Sequence, residues 1–297
     1  MSQQQSFMKA ITWAYSLNWG ERIFSALFIL FLASLLGPRD FGVVSLALLY
    51  VTFLQLFLDQ GFATAIIQRQ NLEREHLDSV FLVNLLLSLG LVAISLLLGR
   101  AWASINGAPE IATISAVLSL SLVMQGMTLV PVALLTRQMN FRSLSIRTNA
   151  STIIGGVVGI LTAWAGFGVW SLVCQRLLSD LISLVLVWNM SSWRPSFKFS
   201  WKHIRELMGF SLGNFLTQLA LFADLQAGSV VLGALFGPAA VGLYRAADRI
   251  MNSVVAMAVS SVQHVSLPQF SRFPSDRQPI CAPSWSQPGR ARALRQS

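Results

Sequence analysis

Eight stretches of this chain are apolar over lengths that match a bilayer, and nothing else in the sequence restricts its fold as much. They cover residues 11–36, 40–60, 78–100, 111–135, 148–166, 169–190, 208–236 and 241–268. At about 1.5 Å per helical residue each can cross a hydrocarbon core of roughly 30 Å, the fifth being the shortest. Apolar residues make up 54% of the chain and charged residues 11%, too few charges to cover so much hydrocarbon in water. The expected fold class is therefore an all-α polytopic membrane protein with about eight transmembrane helices. Lys9 ahead of the first run imitates a secretory signal. Glu21 and Arg22 lie mid-run, however, and the run is too long for a signal core, so it reads as a retained helix.

Residues 34–42, Ser-Leu-Leu-Gly-Pro-Arg-Asp-Phe-Gly, return 200 positions later as residues 234–242, Ala-Leu-Phe-Gly-Pro-Ala-Ala-Val-Gly. The offset is constant for Leu35/Leu235, Gly37/Gly237, Pro38/Pro238 and Gly42/Gly242. Each copy separates two apolar runs and predicts a tight turn. Gly supplies a freely tolerated φ at a helix end, and Pro takes the first position of the next helix, where its missing N–H costs nothing. Two such turns at corresponding places predict a duplicated transporter. The expected organisation is a six-helix lobe over residues 1–190, a connector over 191–207, and the first two helices of a second lobe over 208–272. Residues 273–297 are rich in Pro and Arg and have no apolar period, so a disordered tail is expected there. A duplicated chain should continue through four more helices, which predicts truncation or a reading-frame shift near Phe273.

The net charge of +9 is spread over inter-helix loops and gathers on no soluble module, so it points to membrane orientation and not to nucleic acid. Of 21 Lys and Arg residues, 15 fall in loops on the N-terminal side, among them Arg69, Arg74, Arg137, Arg142 and Arg147; only Arg39 and Arg100 fall opposite. Both termini are thus expected in the cytoplasm. The connector mixes Trp193, Phe197, Phe199 and Trp201 with Lys198, Lys202 and Arg205, a composition suited to the headgroup zone. Gly155/Gly159 and Gly233/Gly237 form GxxxG pairs, read as close helix packing. Cys174 and Cys281 have neither disulfide nor metal spacing, and no cofactor motif is present.

Ionisable residues inside helices are the sharper signals, because charge in hydrocarbon is costly unless it faces protein or water. The first run carries Asn18, Glu21, Arg22 and Ser25; the second has Gln55 and Asp59 near one end. The seventh carries Asn214, Thr217, Gln218 and Asp224, and the eighth Arg245, Asp248, Arg249 and Asn252. If these faces meet, they enclose a basic cavity between the lobes. Arg22, Arg245, Arg249, Asn18, Asn214 and Gln218 are then its candidate ligand contacts, and Glu21, Asp224 and Asp248 its candidate ion-coupling groups. Guanidinium suits an anionic headgroup, since it binds phosphate oxygens two at a time. The alternative is structural: Glu21 neutralises Arg22, and Asp248 pairs with a flanking arginine. Arg176 and Asp180, four apart, are expected to pair along one helix face as a structural contact.

Taken together, Leu35-Leu36-Gly37-Pro38 with Phe41-Gly42, Asp59-Gln60-Gly61 before Gln68-Arg69, and Gly166-Phe167-Gly168-Val169-Trp170-Ser171-Leu172 resemble the polysaccharide-transporter branch of the multidrug/oligosaccharidyl-lipid/polysaccharide flippases. Leu235-Phe236-Gly237-Pro238, Gly242-Leu243-Tyr244 and Leu267-Pro268-Gln269-Phe270-Ser271-Arg272 fit the same pattern. The resemblance implies two six-helix bundles around a cationic cavity. It also implies a non-enzymatic flippase in the bacterial inner membrane, moving undecaprenyl-pyrophosphate-linked oligosaccharide for O-antigen, capsule or exopolysaccharide. The implied partners are that lipid-linked oligosaccharide, membrane lipids and polysaccharide polymerase machinery. A multidrug or cation antiporter of the same superfamily, a polytopic polymerase or glycosyltransferase, and an inert remnant of a disrupted gene are the alternatives. Arginine excess disfavours the antiporter, and outward loops of about ten residues or fewer disfavour the enzyme.

Overall fold

A computed structural model describes residues 24–25, 27–28, 31–32, 35–58, 61–69, 72–196, 199–201, 211–248 and 251, with no side-chain description for 211–214. Among these residues all regular structure is helical: α1 Pro38–Leu58, α2 Phe62–Gln68, α3 Arg74–Ile105, α4 Glu110–Leu118, α5 Leu120–Arg137, α6 Phe141–Trp164, α7 Val169–Met190 and α8 Ser211–Phe236. Helical residues are also found within 24–35 and over 238–248. Among the described residues six helical segments are long and apolar enough to cross a membrane, α4 and α5 acting as one span, Glu110–Arg137. They match six of the eight expected spans, and the other two fall partly outside the described residues. The chain is a multi-pass membrane protein.

Local chemistry sets several helix ends. Pro38 opens α1, with Asp40 in the first turn where a carboxylate meets the positive end of the helix dipole. At the start of α3 the Glu73 N–H donates to His76 Nδ1 at 3.3 Å, so this isolated histidine serves a helix cap. Asn140 accepts a bond from Ser143 N at 3.2 Å and begins α6 seven residues before the apolar run at 148 suggested. Arg142 and Arg147, counted above as loop residues, are therefore helical. The α6–α7 hairpin turns at Gly166 and Gly168, with φ of +85° and +53°, a region that suits glycine. The apolar runs give no sign of the short α2, which lies between the second and third of them. The Arg137 guanidinium donates to the carbonyls of Ile66 and Arg69, capping its C-terminal end.

α1 is the hub, packing against α3, α4, α5, α7 and α8. Its membrane window is 61% buried, against 11% for α8, so α1 is enclosed by protein while α8 presents most of its surface outward. The central core joins Val43, Leu46, Tyr50 and Leu54 of α1 to Ile111 and Leu118 of α4, Leu122 of α5, Val173 of α7, and Val241. Phe53 and Phe57 of α1 meet Phe222 and Phe215 of α8, with ring centroids 5.7 and 5.4 Å apart.

The two Gly-Pro copies touch each other. A Cβ on Gly42 would penetrate the Pro238 carbonyl oxygen, and one on Gly242 would penetrate that of Pro38. Each would also stand 3.0 Å from the backbone nitrogen of the other glycine. The reciprocity describes a local two-fold relation, with Cα–H bonds aimed at carbonyl oxygens across a helix crossing. Gly237 has φ +75°, as a glycine closing a helix requires. Gly37 differs from expectation: its φ is not positive and no atom crowds its Cβ position. Gly155 and Gly159 pack on Ser179 and Gln175 of α7 and Gly233 on Asn106 and Leu46, whereas Gly237 has open space and no packing role.

The connector also departs from the sequence reading. Trp193 is buried against Phe81 and Trp188, with centroids 5.6 and 6.1 Å away, and packs on protein instead of presenting its ring outward. Asp78, fully buried on α3, accepts bonds from Ser196 N at 3.3 Å and from the Ser196 hydroxyl, while Ser79 Oγ accepts from Ser200 N at 3.0 Å. The connector is thus pinned to α3 at its start, and among its described residues Phe199 and Trp201 present exposed rings. Phe197, Lys198, Lys202 and Arg205 lie outside the described residues.

Candidate functional site

α6 and α7 are the two least hydropathic of the six candidate spans, and their polar residues share one face. On α6 that face holds Arg147, Thr148, Ser151 and Thr152; on α7 it holds Gln175, Arg176, Ser179, Asp180 and Ser183. The small contacts at Gly155 and Gly159 bring the two backbones close. The polar faces then turn together toward α1 and α5, where Ser45, Thr52, Gln125 and Thr128 meet them. Between these helices lies a cavity of about 690 Å³, completed by Ser25, Gln226, Arg245 and Asp248.

Inside it the polar groups engage one another. The Arg176 Nε donates to Asp180 Oδ2 at 2.9 Å, the pair expected from spacing. Arg147 Nη1 donates to Ser183 Oγ at 2.9 Å, joining α6 to α7. Arg245 Nη2 donates to Gln226 Oε1 across the Gly-Pro turn. A second cavity of about 390 Å³ shares Thr52, Gln125, Thr128 and Arg147 with the first and adds Gln55 and Gln218. Its α1 residues, Thr52 to Leu58, follow those of the first cavity along the helix. The two spaces therefore succeed each other toward the end of the bundle that carries Arg69, Arg137 and Arg194.

Of the residues singled out from sequence, Arg245 and Asp248 line the first cavity and Gln218 lines the second. Asp224 is exposed on α8 and lines neither. Asn214 belongs to α8, but its side chain is outside the described residues, as are Asn18, Glu21, Arg22, Asp59, Arg249 and Asn252 entirely. Most of the wall comes from α1, α5, α6 and α7, and Arg147 and Arg176 are the cations that the sequence reading did not place there. The weak hydropathy of α6 and α7 was the available signal. Among the described residues no cluster of His, Cys, Asp or Glu is arranged to hold a metal ion.

Such a wall suits an anion attached to a polar, hydroxyl-rich body. Guanidinium forks present paired donors to phosphoryl oxygens, and amides and hydroxyls offer both donors and acceptors to sugar hydroxyls.

A family described as "Polysaccharide biosynthesis protein" matches residues 31–282. Among curated proteins, the succinoglycan biosynthesis transport protein ExoT of Rhizobium meliloti (strain 1021) is 33% identical over 247 residues, 83% of this chain and 50% of that protein. The teichuronic acid biosynthesis protein TuaB of Bacillus subtilis (strain 168) is 20% identical over 222 residues, 74% of this chain and 46% of the relative. An uncharacterized membrane protein in the cps region of Klebsiella pneumoniae is 20% identical over 284 residues, 94% and 58% respectively. The chain spans about half the length of these relatives. No solved structure matches. With its all-helical spans and a match over most of its length, the chain belongs to the polysaccharide biosynthesis protein family of membrane proteins.

Proposed function

We propose that this chain forms part of a flippase that carries a polyprenyl-pyrophosphate-linked oligosaccharide between leaflets of the bacterial inner membrane for surface polysaccharide assembly. The single observation that supports this reading best is the cavity of about 690 Å³ with Arg147, Arg176 and Arg245 set in a wall of hydroxyls and carboxamides. The pyrophosphate meets the guanidinium groups, the sugars extend along Thr52, Gln125, Thr128 and Gln218, and the polyprenyl tail remains in lipid. No step forms or breaks a covalent bond, so the protein acts by binding and by exposing the cavity to alternate sides. The relatives named for succinoglycan transport and teichuronic acid biosynthesis favour a surface-polysaccharide cargo. The excess of basic residues in the loops joined to Arg69, Arg137 and Arg194 favours a cytoplasmic location for that end and for both termini. A cation antiporter would call for a cavity dominated by carboxylates, whereas arginines outnumber aspartates here, three to two.

The test is binding of a short-chain polyprenyl-pyrophosphoryl oligosaccharide to the protein in nanodiscs, compared with Arg147→Ala and Arg176→Ala. Each variant is expected to lose roughly tenfold to a hundredfold in affinity, the loss of one or more charge-assisted bonds. Wild-type affinity in both variants, or no binding by the wild type, would overturn the assignment.

A further inference from the structure

The charge balance of the cavity points to one further residue. Its lining holds Arg147, Arg176 and Arg245 against Asp180 and Asp248, leaving one net positive charge among the described residues. A pyrophosphate diester keeps one negative charge on each phosphoryl group, so its entry draws a guanidinium away from the carboxylate paired with it and sets an anion beside that carboxylate. A partly buried carboxylate left without its cation is strongly disfavoured, and one added proton neutralises it.

Asp180 is placed to receive it. Its side chain is 17% exposed and bonded to Arg176 Nε at 2.9 Å, so in the empty site this carboxylate occupies the cation that an incoming phosphoryl group needs. Gln125 of α5 lines the same cavity, and a carboxamide can donate to an ionised carboxylate or, turned over, accept from a protonated one. The charged groups that line the cavity with Asp180 and Arg176 among the described residues are three. Arg147 faces it from α6, α1 and α5 contribute no charged lining residue, and the 238–248 helix contributes Arg245 with Asp248. Asp248, the other carboxylate, lies on the helix of Arg245, whose guanidinium is already held by Gln226.

We propose that Asp180 takes up one proton from solvent as the pyrophosphate binds, releasing Arg176 to the phosphoryl oxygens. This rests on the ligand proposed above. In the emptied site the proton leaves and the Arg176–Asp180 pair re-forms, so proton movement is tied to loading of the site.

The experiment is calorimetric titration of the nanodisc-held protein with a short-chain polyprenyl-pyrophosphoryl disaccharide, in two buffers of different protonation enthalpy. The wild type is expected to take up about one proton per ligand near neutral pH, and its affinity to fall about tenfold per pH unit as pH rises. Asp180→Asn should bind several-fold tighter with no proton uptake and little pH dependence, and Asp248→Asn should keep the full uptake. Should Asp180→Asn fail to fold, the wild-type count and its persistence in Asp248→Asn still decide the matter. Ligand binding by the wild type without proton uptake overturns this inference and leaves the ligand reading standing. Uptake that survives in Asp180→Asn, or disappears in Asp248→Asn, overturns the assignment to Asp180. If the wild type binds no ligand at all, the ligand reading fails first.

Discussion

Gly42→Ala tests the reciprocal contact most directly. The added methyl would overlap the Pro238 carbonyl oxygen, lie 2.5 Å from the carbonyl carbon and stand 3.0 Å from Gly242 N. All three are backbone atoms, so no rotamer can relieve the clash and the two helices must separate. Ordinary C···O contacts lie at about 3.3–3.6 Å, so the separation is on the order of 1–2 Å. Overpacking of this kind costs about 1–3 kcal/mol, and the lost Cα–H···O contact adds about 0.5–1. Alanine returns up to about 1 kcal/mol through its helix propensity. The net expectation is a loss of about 1–3 kcal/mol, read as a fall in the midpoint of denaturant unfolding in detergent. Gly242→Ala should cost a similar amount. The double variant should cost clearly less than the sum, because a single helix displacement relieves both clashes. Gly37→Ala is the internal control. It sits in the same motif with open space and no positive φ, so it should be neutral or stabilise by up to about 1 kcal/mol. Gly42→Ala within about 0.5 kcal/mol of wild type, the ordinary range for surface changes, would refute the contact.

Three further outcomes are expected. Asp78→Ala leaves the Ser196 N–H without its acceptor and should cost about 1–3 kcal/mol; limited proteolysis should then cut faster within residues 191–201 while the α6–α7 hairpin stays protected. Trp193→Ala removes a ring buried on Phe81 and Trp188 and should destabilise by about 3–5 kcal/mol in the same unfolding assay, a loss that an interfacial tryptophan would not show. Arg147→Lys keeps the charge but loses the planar fork that reaches Ser183, so ligand affinity measured in nanodiscs should fall between wild type and Arg147→Ala.

The membrane spans were legible because a span is a property of composition over a length, and composition needs no tertiary knowledge. What tertiary contacts decide was not. α2 holds because Arg137, distant in sequence, closes its carbonyl end. Trp193 looked interfacial because aromatic and basic residues surround it in the chain, yet Phe81 and Trp188 supply a buried slot that local sequence does not reveal. The apolar run beginning at 148 places Arg147 in a loop, whereas the Asn140 cap starts the helix earlier and carries the arginine into the span. The Arg176–Asp180 pair was readable from its spacing of four residues, but the cavity beside it depends on how α6 and α7 turn toward α1 and α5. Gly37 and Gly237 show the same limit from the other side. The two sequences match, yet only Gly237 takes the left-handed backbone conformation.

The contact between the two Gly-Pro copies also constrains the topology, independently of hydropathy. Pro38 and Pro238 both open helices, and Gly42 and Gly242 lie on those helices against each other, so both helices leave the same end of the bundle. A chain that crosses a membrane between two points on one side must cross it an even number of times. Between Pro38 and Pro238 there are six candidate spans: α1, α3, α4 with α5, α6, α7 and α8. Were any one of these helices buried without crossing, the two motif copies would lie on opposite sides of the bilayer and could not interlock. The pairing of Gly42 with Gly242 therefore supports the crossing of α6 and α7, the two least hydropathic spans, on geometric grounds. It also relates the two motif copies by an axis along the membrane normal, with both helices running the same way from that end.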